Sequence, residues 1–161
     1  MLESVFIFVP FMALMFAIID FSMVFFIQNT FKHAVREGVR FAITNRTIAG
    51  CGGVTACTKQ IVQQNAMGFL PGATGLAKID VKFYQPGEDA DGNLTLTEVT
   101  GAGANSSKNV VEVTISNFQW SWMAPLQAGF AMTGRATNVL SISARSSDRM
   151  EPPEDDIYPA P

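Results

Sequence analysis

A chain of 161 residues with a net charge of −3 and only 16% charged residues has no basic surface with which to hold a nucleic acid. Its apolar residues, 48% of the total, concentrate before residue 28, and the remaining residues are enough for one modest domain and no second one. The single His, 13 Phe and 13 Gly point away from a polar catalytic surface, and no nucleophile, base pair or credible catalytic metal cluster stands out, so the expected function is not enzymatic.

An apolar run from Val5 to Ile27 opens the chain and passes without Gly into an amphipathic stretch that ends near Ile43. About 20 apolar helical residues cross the ~30 Å hydrocarbon core of a bilayer, so the run is long enough to span one. Phe31, Ala34, Val35, Gly38, Val39, Ala42 and Ile43 then recur at the spacing of one helical face. One helix of roughly 65 Å, at ~1.5 Å per residue, is therefore predicted to leave the membrane and dock on a domain. No positive charge precedes Val5 and the run is longer than a signal-peptide core, so a cleaved secretory signal is not expected. Lys32, Arg36 and Arg40 would by the positive-inside rule place the rest of the chain in the cytoplasm. The cysteines and the strand-rich remainder read as extracytoplasmic instead, and a basic leader removed ahead of Met1 would reverse the bias, making the chain a mature product.

Inside this helix, Glu3 and Asp20 are carboxylates in apolar surroundings, where an unpaired charge is costly. Asp20 needs a donor, from the amine of a neighbouring copy or from Lys32 or Arg36 in a staggered bundle, or else it is neutralised by protonation. Pro10 removes one backbone donor and is a point at which the helix can kink or locally melt. Phe6, Phe8, Phe11, Phe16, Phe21, Phe25 and Phe26 point in too many directions for one narrow seam, as in a helix buried all round by lipid or by a bundle.

The helix is predicted to stop around Thr44 and Asn45, before the Gly-rich segment Ala49 to Gly53. Cys51 and Cys57 flank a short loop, and in an exported protein the pair is expected to form a disulfide; metal binding is the weaker reading, because no His or further Cys lies nearby. A second helix is predicted over Thr58 to Phe69, with Ile61, Val62, Ala66 and Phe69 inward. From Ala77 the period becomes two: Ala77, Ile79, Val81 and Phe83 form one face of a half-buried strand. Leu94 to Val99 is a shorter candidate. Val111, Val113 and Ile115 share a face before the apolar phase jumps to Phe118, Trp120 and Trp122, which predicts a bulge near Asn117. Leu140, Ile142 and Ala144 mark a last strand, and connections too short for crossover helices predict an antiparallel sheet.

Asp89, Asp91 and Asn93 follow alternating oxygen spacing reminiscent of a calcium loop, with a solvated turn as the other reading and no other cofactor expected. Asn45, Asn93 and Asn105 stand in Asn-x-Ser/Thr patterns that allow glycosylation and chiefly mark surface loops. His33 has no nucleophile around it. Trp120 and Trp122 are read as core or interface packing, with a ligand platform as the alternative. Past Arg149 the acidic, Pro-rich tail has the composition of disorder, and a neighbouring subunit is a natural surface to order it.

Glu3 before an apolar run containing Pro10, Ile-Ile-Asp-Phe at 18–21 and Ala-Val-Arg-Glu-Gly-Val-Arg-Phe-Ala at 34–42 resemble the TadE-like pseudopilins of tight-adherence pilus systems. Val-Glu-Val-Thr-Ile-Ser-Asn-Phe, Pro-Leu at 125–126 and Leu-Ser-Ile-Ser-Ala-Arg-Ser-Ser-Asp-Arg-Met resemble that family's closing hairpin. The resemblance covers both ends, roughly two-fifths of the chain. It implies an α+β, pilin-like fold in which the long helix packs by its C-terminal half on a small antiparallel sheet. It also implies processing by a prepilin peptidase, handling by pilus assembly machinery, and helices bundled in a filament core. Glu3 departs from the pilin pattern, which has its glutamate at the fifth mature position; it would pair with the N-terminal amine of an adjacent subunit and set axial register, or else lie at headgroup level.

The organisation expected is a membrane or filament-core helix at 1–28, its amphipathic continuation at 29–44, a head at 45–150 and the tail at 151–161. The expected function is a subunit that moves from the bacterial inner membrane into an extracellular homopolymer. The alternatives are a minor pseudopilin that primes or caps another subunit's pilus, and a membrane-tethered binding module.

Overall fold

A computed structural model describes residues 2–45, 47–48, 50–89, 91–101, 103–123 and 139–151, with side chains from Phe6 onward. The Pro-Leu at 125–126, the Gly/Ala-rich turn after it and the tail from 152 lie outside the described residues. Helix α1 runs Leu2–Ile43, α2 Val54–Asn65 and α3 Gly72–Leu76. Strands β1 (Ile79–Glu88), β2 (Leu94–Val99), β3 (Val110–Ser121) and β4 (Val139–Arg149) form one sheet in the order β2-β1-β3-β4. A long N-terminal helix with a four-stranded antiparallel sheet is the α+β, pilin-like arrangement. Two compact units divide the chain discontinuously, Met1–Asn29 with Asn117–Ile142, and Thr30–Ser116 with Ser143–Pro161.

In the second unit the predicted face of α1 is the buried one. Phe31, Ala34, Val35, Val39 and Ala42 are all core residues, joined by Cys57 and Val62 of α2 and by Ile79, Val81, Phe83, Val111, Val113 and Ile115 of the sheet. Phe31 meets Phe69 edge-on at 6.3 Å between ring centroids, the geometry aromatic quadrupoles favour. Gly38 lets α1 approach closely, because a Cβ there would overlap Val62 Cγ2. The buried Thr58 hydroxyl donates to the Val54 carbonyl at 2.8 Å, which satisfies the polar group that burial would otherwise penalise. Asn109, also buried, donates to the Ala104 carbonyl at 2.9 Å, and its own carbonyl accepts from the Met150 amide at 2.7 Å.

Three local expectations are corrected. The second helix spans Val54–Asn65 rather than Thr58–Phe69: nothing between Gly53 and Thr58 opposes helix, and the left-handed backbone of Met67 (φ 50°) and Gly68 (φ 82°) ends it early. Ala77 is not in the first strand but caps α3, whose turn comes directly after Pro71. β1 instead runs on through Pro86 to Glu88; from Gln85 it pairs with β2 alone, and a strand flanked on one side tolerates proline. The phase jump in β3 sits at Asn117, whose φ of 56° is left-handed. Before it Val111, Val113 and Ile115 are buried, and after it Phe118, Trp120 and Trp122 take the half-buried positions.

Candidate assembly site

α1 is long and apolar enough to cross a membrane, with a mean hydropathy of 2.2 in its most apolar window. The helix continues straight through Pro10, with no break or melted turn there. Large apolar side chains stay exposed along it, from Phe6 at 78% through Phe8, Phe11, Leu14, Ile18 and Phe21 to Phe26 at 48%. Phe6 to Phe26 rises about 30 Å at ~1.5 Å per residue, matching a bilayer's hydrocarbon thickness. Exposure of this extent on a soluble surface marks an interaction face.

Asp20 interrupts that surface and is fully buried, at 0% exposure. Its Oδ2 accepts a hydrogen bond from the Met123 backbone amide at 3.0 Å. Next to it, Phe21 packs edge-on against Trp122 with ring centroids 5.6 Å apart. The sequence left this donor unnamed, because it comes from 103 residues further along the chain. Asp20 Oδ1 and Trp120 Nε1 are buried with no hydrogen-bond partner among the described residues. Trp120 and Trp122 are half-buried, and Trp122 makes its edge-on contact with Phe21 of its own chain.

Lys32 and Arg36 are exposed on α1 with Arg40, one turn apart on a single stripe, and His33 lies beside them. None of the three cations has an ion pair among the described residues. Glu3 belongs to α1 by its backbone, while its side chain is outside the described part. Cys51 and Cys57 form a disulfide with a Cα–Cα distance of 5.4 Å, stapling the loop before α2 to its first turn, where Cys57 is fully buried.

Asp89 Oδ1 accepts from the Asp91 amide at 2.7 Å and from the Asn93 amide at 3.5 Å, the bonding of a tight turn that closes the β1–β2 hairpin. Among the described residues no cluster of three or more His, Cys, Asp or Glu side chains is placed to hold a metal ion. Asn105 Nδ2 donates to Asn45 Oδ1 at 2.7 Å, tying the turn after α1 to the loop ahead of β3, while Asn93 stands exposed in the hairpin turn.

Residues 1–40 match the family model described as TadE-like protein. The TadE-like segment thus holds the membrane-length run, Asp20, and the Arg36-Glu37-Gly38 step whose glycine meets Val62. The match likens residues 1–40 to pilus-associated proteins of tight-adherence systems. No curated protein and no solved structure matches the chain.

Proposed function

We propose that the protein is a structural subunit of a type IV pilus-like filament, held in the inner membrane by α1 before assembly and packed there against α1 of identical copies afterwards. The observation that carries this reading is the exposed apolar surface from Phe6 to Phe26, lying within the residues that match the TadE-like model. Hydrocarbon and a bundle of like helices are comparable surroundings for such a surface, so assembly machinery can transfer the subunit without a large loss of burial. In this scheme Glu3 pairs with a neighbour's terminal amine to set axial register. Pro10, which leaves the Phe6 carbonyl without its helical donor, eases extraction from the bilayer.

Cysteine scanning of α1 tests the proposal, since among the described residues Cys51 and Cys57 are paired and an added cysteine supplies the reactive thiol. Single replacements of Phe8, Phe11, Ile18 and Phe25 in the full chain, oxidised in pilus preparations, should give disulfide dimers whose yield varies with the helical period. Absence of dimers at every position, with the protein retained in membranes, would overturn it. The ratio of this chain to other subunits in the same preparations separates a filament-forming subunit from a minor one that primes or caps.

A further inference from the structure

From Gln85 onward the β1–β2 hairpin extends past β3: β1 pairs with β3 only over Ile79–Tyr84, but with β2 over Phe83–Glu88. A two-stranded ribbon alone is marginal in water. This one nevertheless exposes Leu94 at 82% and Leu96 at 60%. The register places Tyr84 with Glu98, Pro86 with Leu96 and Glu88 with Leu94, so these six side chains share the face opposite the one that carries buried Val81 and Phe83. Residues 83–99 contain four carboxylates and no Lys or Arg; Glu98 is paired with Lys82 on the same face, and Glu88, Asp89 and Asp91 gather at the hairpin's tip. The hairpin is thus an apolar patch with negative charge at its tip and an ion pair at its other end, on an edge that nothing among the described residues covers.

The same compact unit carries the opposite surface. Lys32, Arg36 and Arg40 form a stripe along α1, with long alkyl stems that can cover apolar groups while their heads meet carboxylates. The dimensions agree. Lys32 to Arg40 is about 12 Å at ~1.5 Å per residue, and the ribbon face from Glu88 to the Lys82–Glu98 pair is about 13 Å at ~3.3 Å per strand residue. Arg36 then falls over Pro86 and Leu96.

We infer that the outer face of the β1–β2 hairpin of one copy docks on the Lys32–Arg36–Arg40 stripe of another. The two patches differ, so the contact is head-to-tail and propagates into an open series unless its rotation closes a ring. The inference rests on the self-assembly proposed above and adds a contact that orients each head against its neighbour.

The test is a photo-crosslinking residue, p-benzoylphenylalanine, at Leu96 of the full-length protein, irradiated in pilus preparations from mixed light- and heavy-isotope cultures. A mixed-isotope dimer joined to a peptide within residues 29–43 is expected. Reversal of either side, by Glu88→Lys with Asp91→Lys or by Arg36→Glu with Arg40→Glu, should lower its yield roughly tenfold through lost exposed ion pairs, and combining both reversals should restore it. Crosslinks to lipid, to a different protein, or only within one copy overturn the inference, as does a yield indifferent to the reversals. The α1 cysteine dimers provide the control: if they form and the Leu96 crosslink does not, the hairpin contact fails while the filament reading stands; if neither forms, both fail.

Discussion

Replacing Gly38 with alanine adds one methyl group at the closest approach of α1 to α2. The new Cβ would overlap Val62 Cγ2 and lie 3.6 Å from Thr58 Cγ2 and 3.7 Å from Val113 Cγ1. All three neighbours are fully buried, and the β-branched valine has few rotamers into which it can retreat. Helix propensity favours Ala over Gly by ~1 kcal/mol. Overpacking a closed site costs typically ~1–3 kcal/mol, and the crowding on three sides places Gly38 in the upper half of that range. The clash wins by about 1–2 kcal/mol, which at ~2–4 °C per kcal/mol lowers the melting temperature by about 2–8 °C. Circular dichroism melts of the full chain in detergent micelles measure it. In a Val62→Ala background the obstruction is gone, and Gly38→Ala should become stabilising by about the propensity difference of ~1 kcal/mol. A higher melting temperature for Gly38→Ala alone, or the same effect in both backgrounds, would refute the assignment of Gly38 as a packing glycine.

Asp20→Leu removes the acceptor of the Met123 amide; a protein hydrogen bond is worth a net ~0.5–1.5 kcal/mol, so hydrogen exchange at Met123 should accelerate about 2- to 10-fold by mass spectrometry, with Asp20→Asn intermediate. An unchanged rate would show that the bond does not hold Met123 in place. Reduction of the Cys51–Cys57 disulfide frees a short loop and should cost about 2 kcal/mol on the chain-entropy account, seen as a lower melting temperature with dithiothreitol that a Cys51→Ala/Cys57→Ala variant no longer shows. Lys82 donates to Glu98 at 3.1 Å, and this hydrogen bond, then the charge of Glu98, raises its pKa above the ordinary 10.5. A raised value in the folded state means that the contribution is complete below 10.5 and lost as pH rises through the folded value. Melting curves of Lys82→Met and the parent should therefore converge only in that alkaline window, and convergence near neutral pH would contradict the pairing.

Much of the architecture was legible because it rests on local periodicity. The face of α1 from Phe31 to Ala42, the alternation of Ile79, Val81 and Phe83, and the phase jump at Asn117 each record which side of a helix or strand is buried. The TadE-like segment was legible for the same reason, as a contiguous run of residues. The limits of α2 were not, because Val54 to Cys57 has no strong preference of its own and takes its helix from what it packs on. The spacing of Asp89, Asp91 and Asn93 is also that of an Asx-type turn, and its hydrogen bonds to Asp89 form only once the hairpin closes.

By itself, then, the order of amino acids determined that one helix must serve both an apolar phase and a domain, since its hydrophobicity and period change along a single uninterrupted stretch. Tertiary structure alone decided which groups meet across long separations. It brought the Met123 amide to Asp20, set Val62 against Gly38, and left the β1–β2 hairpin projecting beyond β3 with its leucines uncovered. Such pairings depend on strand register and helix approach, which arise when the chain closes on itself and leave no periodic mark in the residues that take part.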